Sequence, residues 1–207
     1  MILEAKNITY GYKKNQEPVI KNFNLVAKSQ ERVGILAPSG FGKTTLCQLL
    51  SGYLYPNSGE VLLDGKPLPK KGYCPVQMIW QHPERVVNPR MRMGDTLEEG
   101  FEISSRIIEG LGIEKDWYNR YPGEISGGEM QRFCIARALG EKTKFILADE
   151  ISTMLDLITQ SQIWNFLLQE VEERGIGLIA VTHSDSLMNR VATRVVNLDS
   201  NIEQDLI

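Results

Sequence analysis

Val33-Gly34-Ile35-Leu36-Ala37-Pro38-Ser39-Gly40-Phe41-Gly42-Lys43-Thr44-Thr45-Leu46 is the stretch that decides the fold. A short apolar run enters a loop with two glycines, and the loop enters a helical pattern continued by Leu49 and Leu50. Strand, glycine loop and helix in that order make a phosphate cradle. Backbone N–H groups turn inward around the anion, and the helix N-terminus adds its dipole. Lys43 would bring a point charge to the β- and γ-phosphates of a nucleotide, and the Thr44 hydroxyl would ligate Mg²⁺. Pro38, Ser39, Gly40, Phe41, Gly42, Lys43, Thr44 and Thr45 are therefore the expected ATP-binding residues. The pattern G-x-x-x-x-G-K-[ST] has glycine where this chain has Ala37. A methyl group there costs about 1 kcal/mol if φ must be positive, and nothing if the residue closes the strand with negative φ. The second is expected, because the cradle proper is built from residues 39 to 45.

About a hundred residues on, Phe145-Ile146-Leu147-Ala148-Asp149-Glu150 runs four apolar residues into two acids. This is the pattern of a buried parallel strand whose C-terminal end opens on a ligand crevice. Asp149 would hold Mg²⁺ through its water shell, leaving Glu150 free to orient or deprotonate an attacking water. With the phosphate loop upstream, the pair reads as ATP-hydrolysing machinery.

Between the two lies Ile125-Ser126-Gly127-Gly128-Glu129-Met130-Gln131-Arg132, continued by Phe133-Cys134-Ile135-Ala136-Arg137-Ala138-Leu139. This segment resembles the LSGGQ signature of ATP-binding-cassette (ABC) ATPases, and the resemblance covers nearly the whole chain, with the motifs in order. It implies that Ser126, Gly127, Gly128 and Glu129 form a second anion nest serving a nucleotide held by a partner cassette. ATP would then be sandwiched in a head-to-tail dimer. Four more positions carry the likeness. Gln81 resembles the Q-loop glutamine, a sensor of Mg²⁺ and water. Asp156 in Thr153-Met154-Leu155-Asp156 resembles the D-loop aspartate, and His183, ending Leu178-Ile179-Ala180-Val181-Thr182, resembles the switch histidine. Tyr12 matches the aromatic that stacks on adenine, with Tyr10 as its rival on the same strand face. Catalysis would rest on Glu150, His183, Lys43 and Gln81, with Mg²⁺ held by Thr44, Gln81 and Asp149.

Gln77-Met78-Ile79-Trp80-Gln81-His82-Pro83 and Asn88-Pro89-Arg90-Met91 are similar to the peptide and nickel importer branch, with His82 in place of the usual aspartate. That branch implies two transmembrane permease subunits, a second ABC ATPase (a sister or a copy), an extracytoplasmic solute-binding protein, and a cytoplasmic position on the inner face of the cell membrane. A non-transport ABC ATPase and a weakly active regulatory cassette are the alternatives. The branch leaves the cargo open, since selectivity lies in other subunits.

The expected fold is α/β: a P-loop NTPase core of parallel sheet and flanking helices, an N-terminal antiparallel β-subdomain and an inserted helical subdomain. One domain spans 1–207. Residues 1–80 and 141–207 supply the core and the antiparallel strands, and 81–140 supply the Q-loop, helical subdomain and signature. Ser58 to Lys66 reads as a hairpin turning at Asp64-Gly65, residues 84–140 as mostly helical, and Glu98, Glu99, Glu102, Arg106 and Glu109 as a solvated helix face. The last strand is expected at Arg194 to Leu198. At 207 residues and 42% hydrophobic the chain can bury one substantial core. A net charge of −3 gives no general attraction to nucleic acid. No apolar run reaches the ~18 residues of a membrane span, and the three cysteines, Cys47, Cys74 and Cys134, fall in apolar patterns without metal spacing.

Overall fold

The computed structural model describes residues 1–13, 16–38, 40–153 and 155–198, with the backbone of 202–205. Ser39 of the expected phosphate loop, Lys14, Asn15 and Met154 of the expected D-loop lie outside them.

Strands β1 (Ile2–Tyr10), β2 (Ile20–Lys28), β4 (Ser58–Leu63) and β5 (Lys66–Pro67) form an antiparallel sheet in the order β2-β1-β4-β5. Its hairpin turns where expected, with Asp64 and Gly65 both at positive φ (49° and 72°), the requirement of a type I′ turn. The second sheet runs β10 (Ile202–Asp205), β9 (Arg194–Asn197), β3 (Arg32–Leu36), β8 (Gly177–Val181), β7 (Phe145–Asp149), β6 (Val76–Ile79). All neighbours are parallel except β10, which pairs antiparallel with β9 and was not expected from the sequence.

Alternation assigns the two faces of this sheet. Phe145, Leu147, Ile179 and Val181 pack with Leu46, Leu49 and Leu50 of α1 (Lys43–Leu50) and with Leu3, Phe23 and Leu25 of the antiparallel sheet. Ile146, Ala148, Leu178 and Ala180 pack on the other side with Phe133 and Ile135 of α4 (Gly127–Ala138) and with Ile163, Trp164 and Leu167 of α5 (Leu157–Arg174). Burial on both faces is why these strands read as unbroken apolar runs.

The segment between β6 and β7 is less helical than its pattern suggests. Helices α2 (Met93–Glu98) and α3 (Ser105–Gly110) have six residues each, and 3-10 turns occupy 83–85, 115–117 and 122–124. Pro83 and Pro122 open two of those turns, and Gly112 (φ 60°) turns the chain away after α3. The five charged residues expected on one solvated face are exposed but do not share a helix. Glu99 pairs with Arg137 (3.3 Å), and Arg106 reaches across to α5, meeting Glu173 and Glu170 (3.0 Å). Glu170 is buried, with Arg174 on its other side at 3.5 Å. Arg174 also donates to the Leu139 carbonyl (2.7 Å) and to that of Gly140, tying the end of α4 to α5.

Cys47 and Cys134 are buried and Cys74 half-buried, all as free thiols. Burial pushes the Cys134 thiol up to about 12.

Glu170→Gln removes the carboxylate that holds Arg106 and Arg174. A loss of about 1–3 kcal/mol is expected, the low end for a buried acid because both arginines are partly in water. A urea unfolding midpoint unchanged from that of the parent would contradict the assignment.

Candidate nucleotide site

The register of the parallel strands brings the site together. Ile35 of β3 lies beside Val181 of β8, Val181 beside Asp149 of β7, and Ala148 beside Ile79 of β6. Four chain segments therefore leave the same sheet edge, carrying the phosphate loop, Glu150, His183 and Gln81. The carboxyl ends of parallel strands are where open α/β sheets hold ligands.

Within the phosphate loop Gly40 and Gly42 both have positive φ, 85° and 82°. A Cβ at Gly40 would meet nothing, so this backbone faces open space, whereas one at Gly42 would lie 2.5 Å from Val19 Cγ1. Ala37 is not among the residues of positive φ, so the expected negative φ at the strand end holds and its methyl is harmless. Helix α1 starts at Lys43 with no side-chain cap and no acid in its first turn. Its N-terminal N–H groups and positive dipole end are thus left for an anion. Lys43 is buried, and its ammonium donates to the carbonyls of Ala37 (3.0 Å) and Pro38 (3.3 Å).

Three residues expected to take part in hydrolysis, Lys43, Gln81 and His183, meet on one carboxylate. Glu150 lies 3.7 Å from Lys43 Nζ through Oε1, while its Oε2 accepts from Gln81 Nε2 (3.1 Å) and lies 3.4 Å from His183 Nδ1. Glu150 itself adopts a left-handed backbone, φ 48°. That conformation costs a non-glycine residue roughly 1 kcal/mol and persists only where the surroundings over-determine it.

Asp149 is fully buried, and its Oδ2 has no hydrogen-bond partner. Desolvation raises its pKa, while a hydrogen bond from Thr44 and the Lys43 charge pull it down. Thr44 is exposed at the start of α1. A buried carboxylate oxygen without a partner, beside an available hydroxyl and an open phosphate cradle, fits Mg²⁺. That ion takes one or two protein oxygens and completes its shell with water and phosphate.

Tyr12 is exposed, and its hydroxyl meets Thr45 Oγ1 at 3.0 Å. Tyr10 is partly buried against the core and touches Tyr12 edge to face at 5.2 Å. Of the two tyrosines, Tyr12 is the exposed one, with its hydroxyl on Thr45 of α1.

The signature turn stands apart from these groups. Ser126 caps α4, accepting from Glu129 N (3.2 Å), and Glu129 Oε2 accepts from Ser126 N (2.6 Å). A Cβ at Gly128 would come within 3.1 Å of Leu155 Cδ2, so Leu155 of the same chain flanks the turn. Asp156 caps α5, accepting from Thr159 N and Ile158 N (both 3.0 Å), and these bonds, Thr159 first, hold its carboxyl below the usual range.

Two polar groups at the site carry no role in the sequence reading. Gln131 is buried and donates to the Trp80 carbonyl (3.1 Å), one residue before Gln81, joining the signature helix to that loop. Ser152 is buried and accepts from Gln160 (2.9 Å) and Trp164 (3.2 Å). Gln131 comes directly after the signature, and its position inside an apolar helix face is the one signal that marks it. Ser152 offers no such signal.

The chain resembles known proteins throughout its length. A peptide ABC transporter ATP-binding protein of Sinorhizobium fredii is 32% identical over 210 residues, covering 91% of this chain and 60% of that protein. The nickel import ATP-binding protein NikE of Escherichia coli is 30% identical over 225 residues, covering 96% and 84%. The ATP-binding cassette MJ0796, solved as a dimer in a post-hydrolysis state with ADP and Pi, superposes with a TM-score of 0.84 over 99% of each chain at 27% identity. Among the described residues no helix is long and apolar enough to cross a membrane. The ABC transporter family model matches residues 20–153, and with the phosphate loop, the paired acids and the histidine on one sheet edge, the chain belongs to the ABC transporter family.

Proposed function

We propose that this chain is the ATP-hydrolysing subunit of an ABC importer for peptides, nickel or a related metal complex. The observation that carries the ATPase reading is the meeting of Lys43, Gln81 and His183 on Glu150 beside an open phosphate cradle. The cargo class rests on the likeness to peptide and nickel transport proteins.

In the reaction, the loop amides and Lys43 bind the β- and γ-phosphates, and Tyr12 stacks on adenine. Glu150 orients the attacking water and takes its proton, with Gln81 and His183 holding the carboxylate in place and His183 turning to the γ-phosphate. Thr44, Gln81 and Asp149 would hold Mg²⁺, which would supply positive charge to neutralise the phosphates. Ser126, Gly127, Gly128 and Glu129 serve the nucleotide of a second cassette, a sister chain or a copy, and Asp156 borders the same interface. Leu157 and Ile158, adjoining Asp156, are 82% and 72% exposed, which favours a protein surface there. Two permease subunits dock on the pair of cassettes in the groove beside Gln81, where Tyr53, Tyr55, Trp80 and Phe101 line cavities between the segment after α1 and the helical segment. A solute-binding protein delivers the cargo from outside, and this chain works at the inner face of the membrane. ATP drives the cycle only through its stronger binding to the closed pair of cassettes.

Glu150→Gln should keep ATP affinity and lose phosphate release by about 10²-fold or more. Undiminished turnover would remove Glu150 from the hydrolytic step. Asp149→Asn tests the metal side. Folding holds the Asp149 proton more tightly than the unfolded chain does. The penalty of ionisation is therefore present above its raised pKa and absent below the ordinary 3.8. At neutral pH the nucleotide-free variant should melt higher than the parent, while the extra stabilisation that Mg²⁺ gives to ATP-bound protein disappears. A lower melting temperature in the absence of nucleotide would refute the burial argument. Mild-detergent purification from native membranes should bring down multi-span subunits and a second cassette; companions from DNA repair or ribosomes would overturn the importer reading.

A further inference from the structure

Glu150 is held in a costly backbone conformation, and the structure shows what holds it. Its N–H donates to the Val181 carbonyl (3.0 Å), and its carbonyl accepts from Thr153 N (3.3 Å) and Thr153 Oγ1 (3.2 Å). Leu155 N closes the turn on the Ser152 carbonyl (3.2 Å). These bonds tie the turn to itself and to β8, and Ile151 packs in the apolar cluster that holds Ile163 and Trp164. Among the described residues between Glu150 and Leu155, Ser152 is the side chain that hydrogen-bonds to α5. Its hydroxyl accepts from Gln160 Nε2 and Trp164 Nε1, residues four apart and so on one face of α5. Trp164 is among the largest fully buried side chains, and its indole N–H can only donate. The partner of that N–H is therefore fixed in space, and with it the position of Ser152, two residues from Glu150.

We infer that Ser152 is a positioning residue for hydrolysis: its buried hydroxyl, gripped by Gln160 and Trp164, keeps Glu150 left-handed, the conformation from which its carboxylate reaches Lys43, Gln81 and His183. This rests on the reading of Glu150 as the residue that orients the attacking water. Loss of the anchor lets Glu150 relax towards negative φ and swings its carboxylate away from the water, while the phosphate loop, which binds ATP, is untouched. A displacement of this order affects the chemical step far more than binding.

The test compares steady-state ATP hydrolysis by the purified full-length chain and five variants. Ser152→Ala should lower kcat about 10-fold and leave KM for ATP within about twofold, and Ser152→Thr, which keeps the hydroxyl, should restore most of the rate. Gln160→Ala removes one donor and should lower kcat in the same sense by a smaller factor. Thr143→Val, which deletes the hydrogen bonds of a buried hydroxyl with the Ala138 carbonyl and the Tyr73 hydroxyl away from the site, should lower the melting temperature with kcat unchanged. Ser152→Ala and Gln160→Ala at full kcat beside an inactive Glu150→Gln would overturn the role of Ser152 and leave Glu150 intact. Equal losses of kcat in Thr143→Val and Ser152→Ala would reduce Ser152 to a stability residue and overturn it too. Full turnover by Glu150→Gln would refute the parent reading, and the Ser152 role with it. If Ser152→Ala does not fold, Gln160→Ala alone decides.

Discussion

The parallel pairing of β3, β8 and β7 is the constraint on which the other features depend. Because Ile35, Val181 and Asp149 stand side by side, the loops beyond them all emerge at one edge. A shift of one residue in that register would turn Asp149 and Val181 to opposite faces and carry Glu150 away from Lys43. The register is enforced from both sides. Phe145 and Leu147 fill the space against α1, and Ile146 and Ala148 fill the space against α4 and α5, so no alternative pairing buries the same surface.

Burial also explains the electrostatics of the site. Lys43 and Asp149 are charged groups in a setting that removes water from both. Lys43 is met by two carbonyls and the edge of Glu150, whereas one oxygen of Asp149 is met by nothing. The fold thus carries a buried acid with one bare oxygen, whose natural complement is a cation. Stability is given up at the place where a metal would act, a trade common in functional sites. The left-handed Glu150 is a second local cost, offset by the turn and by the Ser152 anchor on α5.

The helical segment between β6 and β7 shares an apolar core with the parallel sheet and α5, and polar contacts add to that packing. Gln131 reaches the Trp80 carbonyl beside Gln81, and Arg106 and Arg174 close on Glu170. The first contact joins the signature helix to the loop that carries Gln81, and the second joins α3 to α5, whose cap is Asp156.

Features set by local chemistry are legible in the chain alone. Gly40 and Gly42 announce a backbone that other residues cannot adopt, Asp64-Gly65 announces its turn, and unbroken apolar runs ending in acids announce parallel strands covered on both faces. Ser126 and Glu129, three residues apart, close a reciprocal cap at the start of α4, a pairing set by local chemistry. The short helices of the inserted segment and the strand at 202–205 were not legible, because their limits come from prolines and long-range pairing in competition with helical periodicity. Other features exist only in the folded molecule. Gln81, Glu150 and His183, separated by 69 and 33 residues in sequence, share one carboxylate, Asp149 keeps a bare oxygen, and Ser152 lies under Trp164. The physical reason is that hydrogen-bond partners and burial are properties of distance. Distances between remote residues are created by strand register and core packing, which no single stretch of the chain encodes.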